Sequence, residues 1–244
     1  MRLTEHIYMV GGGEFGLSQK FDSNVYVVDC GEELAMIDAG AGVDVALIEE
    51  NIKKEGLSPD RITKILLTHS HSDHAGGADW FHKRFASAVY ISKEEAIGVE
   101  SGEEGELGLE IARRSGFYSQ EYRFPSTEVA VKLKHEDEFM CGVYKFKAML
   151  VPGHSQGSVC YHTDLPEGKV LFSGDTVFSG GKILLLNIEG SSLSDYRQNC
   201  GKLSDLGIDI LLPGHGVVVL SEGQMHIDEA LKKLKLLQPP PNLL

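Results

Sequence analysis

The sequence predicts a mixed α/β (α+β) fold in a single domain spanning residues 1–244, and three observations carry that expectation. Short apolar runs of β character alternate with segments whose apolar residues recur at helical spacing. The order strand, turn, strand, helix, strand occurs twice along the chain. Apolar residues make up 42% of the chain and charged residues 24%, enough for one sizeable core, and no linker divides it.

From Asn24, NVYVVDCGEELAMIDAG reads as two β runs joined at Cys30-Gly31-Glu32-Glu33, the second run ending on Asp38. VDVALIEENIKKEG then places Val45, Ile48 and Ile52 on one helical face and stops at Gly56, ahead of Pro59. RITKILLTH comes next as a buried strand. HAGGADWFHKRF reads as a helix that Ser72 or Asp73 can cap, with Trp80, Phe81 and Phe85 toward the core and Gly76 and Gly77 serving close packing.

The segment 93–124 is rich in Glu, Gly and helix formers, breaks the strand pattern, and is a candidate cover for the active site. VAVKLKHEDEFMCGVYKFKAMLVPGH continues as consecutive β runs ending at His154. SVCYHTDLPEGKVLFSGDT repeats the strand, turn, strand order and ends on Asp175 as the first hairpin ends on Asp38. LSDYRQNCGKLSDLG is the matching helix, and IDILLPGH sets His215 after a strand as KILLTH sets His69. Glu222 to Leu237 is an amphipathic helix ended by Pro239, Pro240 and Pro241, its apolar side suited to core packing or to a homodimer contact.

LLTHSHSDHAGG, from Leu66 to Gly77, places His69, His71, Asp73 and His74 within six residues after an apolar run. Extended backbone alternates its side chains, so His69, His71 and Asp73 can converge while His74 turns aside as a helix begins. Desolvating four such groups is costly unless something compensates, and a divalent cation accepts neutral imidazole nitrogens and carboxylate oxygens at about 2.0 to 2.2 Å.

With this HxHxDH string the chain resembles the metallo-β-lactamase superfamily, and VPGH154SQGS, FSGD175T and LLPGH215G match its remaining ligand positions in order. The resemblance implies a four-layer αββα sandwich with two divalent metal ions, zinc foremost, although iron or manganese also suit these donors. It implies that His69, His71 and His154 hold the first ion, Asp73, His74 and His215 the second, and that Asp175 bridges them. A hydroxide bridging two such ions would attack a small ester, thioester or lactone, with Asp73 orienting it and accepting its proton. A phosphodiesterase or nuclease on the same site, and an iron-dependent oxidoreductase similar to persulfide dioxygenases, are the alternatives. His6, His82, His135, His162 and His226 match no ligand position and are assigned to surface or packing.

Within the superfamily, SGD175TVF178SGG looks most like the glyoxalase II branch, although the full C-terminal substrate region of that branch is missing after the last helix. Phe178, Lys182, Arg113 and Arg114 are candidate substrate contacts, with Tyr118 and Tyr122 beside the two arginines. A formal charge of −13 opposes a nucleic-acid partner and favours a small-molecule substrate. No apolar run approaches the roughly 20 residues that span a bilayer, and no secretory leader opens the chain, so a cytoplasmic location is expected. Cys30, Cys141, Cys160 and Cys200 lie far apart and are expected as buried free thiols.

Overall fold

The computed structural model describes residues 1–243 except Glu106, Gly108 and Ser115, so these three members of the expected cover segment lie outside the described residues. Its contacts gather the chain into two compact units, residues 1–133 with 141–143 and residues 134–140 with 144–244.

In the first unit the elements are β1 (Ile7–Gly11), β2 (Val25–Asp29), β3 (Leu34–Ile37), α1 (Val45–Lys54), β4 (Ile62–Leu66), α2 (Ser72–Ala75), α3 (Ala78–Phe85), β5 (Ala88–Ser92), α4 (Lys93–Ser101), α5 (Leu109–Arg114) and β6 (Val131–Leu133). Its sheet has the order β1-β2-β3-β4-β5-β6. The hairpin β2–β3 is antiparallel because a short turn can join only such strands, whereas β3 and β4 are parallel and need the α1 crossover. As the spacing predicts, α1 buries Val45, Ile48 and Ile52, and its last turn carries Lys53 and Lys54 where the helix dipole favours cations. These residues join Val27, Met36, Ile65 and Phe81 in the unit's core.

Two strands lack a sequence signature. Every residue of β1 is buried, so no polar alternation marks it, and β5 passes directly into α4 without a Gly or Pro between them. The helix expected from His74 onward also differs: it starts earlier, at Ser72, and is broken into α2 and α3 around Gly76 and Gly77. A Cβ on Gly76 would lie 2.4 Å from the Ala41 carbonyl oxygen, and one on Gly77 would lie 2.1 Å from that of Ala39. The glycines therefore serve the close packing that the sequence suggests.

The second unit comprises β7 (Glu138–Cys141, all but its last residue), β8 (Tyr144–Leu150), β9 (Val159–Leu165), β10 (Gly168–Gly174), α6 (Leu193–Asn199), β11 (Ile210–Pro213) and α7 (Gly223–Lys235), with sheet order β11-β10-β9-β8-β7. Here the hairpin is β9–β10, the crossover helix is α6, and β11 returns parallel to β10. The plan of β2, β3, α1 and β4 is thus repeated. The apolar side of α7 packs into its own unit's core through Ile227, Ala230, Leu231 and Leu234. All four cysteines are buried and free. Burial pushes the Cys160 thiol up to about 12, which keeps it neutral packing. Among the described residues no helix is long and apolar enough to cross a membrane.

The packing of the first unit can be tested at two positions. Gly77→Ala should cost about 1–3 kcal/mol in urea unfolding, because the Ala39 backbone must move to admit the methyl. Glu33 accepts from Lys64 Nζ at 2.7 Å and from the Gly142 N–H at 2.9 Å. The lysine, foremost, and that N–H hold its carboxyl at about 2, below its ordinary 4.5. The stability that Glu33 lends is therefore complete above 4.5 and is lost as the pH falls through 4.5 toward 2. Glu33→Gln should lower the urea midpoint at neutral pH, and the gap to wild type should close across that acid range.

Candidate metal centre

In the first unit the donor loop begins after β4, whose chain runs on through Leu67 and Thr68 to His69. Asp38, just past β3, organises it. This carboxylate is 1% exposed, and it accepts from the Thr68 N–H at 2.8 Å, the Thr68 hydroxyl at 2.9 Å and His74 Nδ1 at 2.8 Å. A hydroxyl has one hydrogen, so with that proton on Asp38 the Thr68 oxygen accepts from His69 Nδ1, 3.0 Å away. Both rings thereby carry Nδ1–H and present Nε2 on the opposite side. The Asp38 φ of 57° is a left-handed conformation, strained for a non-glycine residue and held by these bonds.

Ser70, between the two histidines, is fixed by a different acid. Its N–H donates to Glu95 Oε2 at 3.0 Å, and its hydroxyl also bonds that oxygen. With Ser70 pinned, the rings on either side come together: His69 and His71 have centroids 4.6 Å apart, and His69 and His74 4.1 Å. Asp73 sits in α2 rather than on extended backbone, with Oδ2 3.6 Å from His74 Nε2. Its peptide carbonyl accepts from the Ser23 N–H at 3.2 Å.

The described residues of the segment 93–124 pack within the same unit. Tyr118 and Tyr122 stack with centroids 4.3 Å apart, and the Tyr122 hydroxyl donates to the Ala41 carbonyl at 2.6 Å. Burial, then the charge of Asp73, pushes both phenols up, so they remain protonated. Phe21 packs on Tyr118 and on Phe117, which is 44% exposed. Arg113 is bound to Glu104 at 2.6 Å and to the Tyr122 carbonyl at 2.5 Å, while the exposed Arg114 pairs with Glu110 at 2.5 Å.

In the second unit, β10 and β11 are parallel, so their C-terminal ends bring Asp175 and His215 side by side, with His215 Nε2 3.6 Å from Asp175 Oδ2. His154, in the loop after β8, has Nε2 3.5 Å from the same oxygen. Its Nδ1 donates to the Leu184 carbonyl at 2.8 Å, which again fixes the tautomer. Gly153 is required beside it, since a Cβ there would lie 2.6 Å from the Tyr196 ring. The buried Tyr196 hydroxyl reaches the carbonyls of both Asp175 and Leu184 at 3.1 Å. Phe178 is 1% exposed, and Lys182 is exposed.

Each unit thus gathers its own share of the seven expected donors. The donor set suits a borderline divalent cation: imidazoles, of which His69, His74 and His154 are held in one tautomer by buried acceptors, together with carboxylates. Asp38, Glu95, Leu184 and Tyr196 were not singled out as site residues from sequence. The one available signal was Asp38, which closes its hairpin as Asp175 does.

The chain matches the family model described as metallo-beta-lactamase superfamily over residues 19–215, a range that contains all seven donors. It is 30% identical over 229 residues to an acyl-coenzyme A thioesterase, MBLAC2, of Homo sapiens, covering 84% of this chain and 79% of that protein. A hydroxyacylglutathione hydrolase of Cupriavidus metallidurans is 32% identical over 161 residues, 66% of this chain and 51% of that one. Among solved structures, BJP-1, a subclass B3 metallo-beta-lactamase of Bradyrhizobium japonicum, superposes with a TM-score of 0.74 at 23% identity, covering 97% of this chain and 90% of that one. The two-sheet α/β architecture expected from the sequence is the fold of these structures. The chain belongs to the metallo-β-lactamase superfamily and is a hydrolase of that fold.

Proposed function

We propose that the chain hydrolyses acyl thioesters at one two-metal centre, with His69, His71 and His154 on one ion, Asp73, His74 and His215 on the other, and Asp175 shared. The observation that carries this proposal is donor chemistry: the Nδ1 atoms of His69, His74 and His154 are engaged by buried acceptors, so each Nε2 is presented for ligation. Zinc is the metal proposed, and elemental analysis of natively expressed protein would expose iron or manganese instead. The resemblance to an acyl-coenzyme A thioesterase supports a thioester over a lactone or a phosphodiester.

When bound, two divalent ions supply a water ionised near neutral pH and polarise the substrate carbonyl. The chain does the rest. Asp73, whose side chain is 17% exposed, orients the attacking water and takes its proton on a carboxylate oxygen. Asp38 and Thr68 hold the imidazoles so that no reorganisation is needed as charge develops on the substrate. The acyl group is proposed to lie along Phe21, Phe117 and Tyr118, and anionic groups of the carrier to meet Lys182 and Arg114. Arg113, bonded to the Tyr122 carbonyl, and Phe178, bridged to Lys182, are proposed to brace these residues within their own units. Four buried free thiols suit a reducing compartment, and the cytoplasm is proposed.

Protein stripped with a chelator should lose thioester hydrolysis and regain it on reloading with zinc. Asp73→Asn, reloaded in the same way, should fall by about 10²-fold or more in kcat. Thioester turnover no faster than lactone or phosphodiester turnover across a matched panel would sink the substrate assignment. Phe117→Ala should raise KM for long or aromatic acyl groups by about tenfold and leave acetyl thioesters unchanged, as removal of one apolar contact does.

A further inference from the structure

The chain beyond Asp175 in the second unit carries Leu184, whose carbonyl orients His154. The residues on either side of Leu184 are held by a distant stretch. The Ile183 N–H donates to the Pro241 carbonyl at 3.0 Å, and the Leu243 N–H donates to the Ile183 carbonyl at 2.9 Å. Leu185 is held by a side chain: its N–H donates to Asn242 Oδ1 at 2.9 Å, and its carbonyl accepts from Asn242 Nδ2 at 3.1 Å. The main chain of residues 241 and 243 thus forms a parallel bridge to residue 183, and the Asn242 side-chain amide takes the place of a peptide group at the next pair, residue 185.

Successive carbonyls of an extended chain point to opposite sides. With Ile183 and Leu185 both bonded to residues 241–243, the Leu184 carbonyl faces away from them, where it meets His154 Nδ1 at 2.8 Å and the Tyr196 hydroxyl at 3.1 Å. The clamp is itself pre-ordered. Pro239, Pro240 and Pro241 restrict the approach to Asn242, which lowers the entropy lost on docking, and Arg197 ties the Leu237 carbonyl at 3.0 Å just before them.

We infer that Asn242 is a positioning residue for the ligand His154, acting through the Leu184 carbonyl to fix the tautomer and direction of the ring. The inference rests on the proposed function in one respect, that His154 binds metal. Its consequence is that a side chain with no ligating role sets the affinity of the centre.

The test uses the full chain in two arms. In metal-free protein carrying ¹⁵N-labelled histidine, the wild-type His154 ring should show a single Nδ1–H tautomer, and Asn242→Ala should convert it to a mixture. In zinc titrations against a chromophoric chelator, Asn242→Ala should weaken binding by about tenfold, while the thermal midpoint of the metal-free protein stays close to wild type. Asn242→Asp keeps the acceptor for the Leu185 N–H and loses the donor, so it should fall between the two; it also serves if the alanine variant folds poorly. An unchanged tautomer with unchanged zinc affinity in both variants overturns the inference and leaves the two-metal proposal standing. A tautomer that depends on Asn242 in a protein that takes up neither zinc, iron nor manganese keeps the clamp and overturns the two-metal proposal.

Discussion

The Asp38 carboxylate is the constraint on which the first unit's donor loop depends. A buried carboxylate is tolerated only when its acceptor sites are filled, and Asp38 fills them from Thr68 and His74. That requirement brings the end of β3 to the loop after β4. The same bonds that relieve the buried charge set the faces of two imidazoles. Stability and ligand geometry are therefore one arrangement here, and removing the acid would disturb both.

The second unit reaches a comparable result by other means. Its hairpin also ends on an acid, but Asp175 meets His154 and His215 on their Nε2 side, whereas Asp38 meets His74 at Nδ1. The tautomer of His154 is set by a main-chain carbonyl. One topology used twice has placed an acid at the same point of each hairpin and given it different work. The difference lies in the chain beyond each acid: past Asp38 it contributes Ala39 to pack against Gly77, whereas past Asp175 it leads through Phe178 to the stretch that carries Leu184.

Much of this was legible in the sequence because the signals are local. HxHxDH, the Gly-Gly pair, the face of α1 and the strands that end at His154, Asp175 and His215 can each be read within a window of a few residues. What escaped was non-local. Glu95 sits 25 residues from Ser70, Leu184 30 from His154, and Asn242 57 from Leu185, and no periodicity links such partners. The start of α2 at Ser72 was missed because the alternation rule presumes extended backbone, and the loop leaves that conformation before Asp73. Arg113 looked available for an anion because its partners, Glu104 and the Tyr122 carbonyl, are brought to it only by the folding of its own segment.

One anchor of that segment is a group that is indifferent to sequence. Tyr122 reaches the rest of its unit through a hydroxyl bonded to the main-chain oxygen of Ala41, and a peptide carbonyl is offered by any residue type at that position. That bond makes no demand on the side chain at residue 41. The part of the segment around Tyr122 could change in length or composition and still be seated on that oxygen, whereas Glu95 at the segment's start must keep its hold on Ser70. Under the proposed thioester hydrolysis, changes in acyl preference would then accumulate around Phe117 and Tyr118, away from the bonds that Glu95 and Asp38 make to the donor loop.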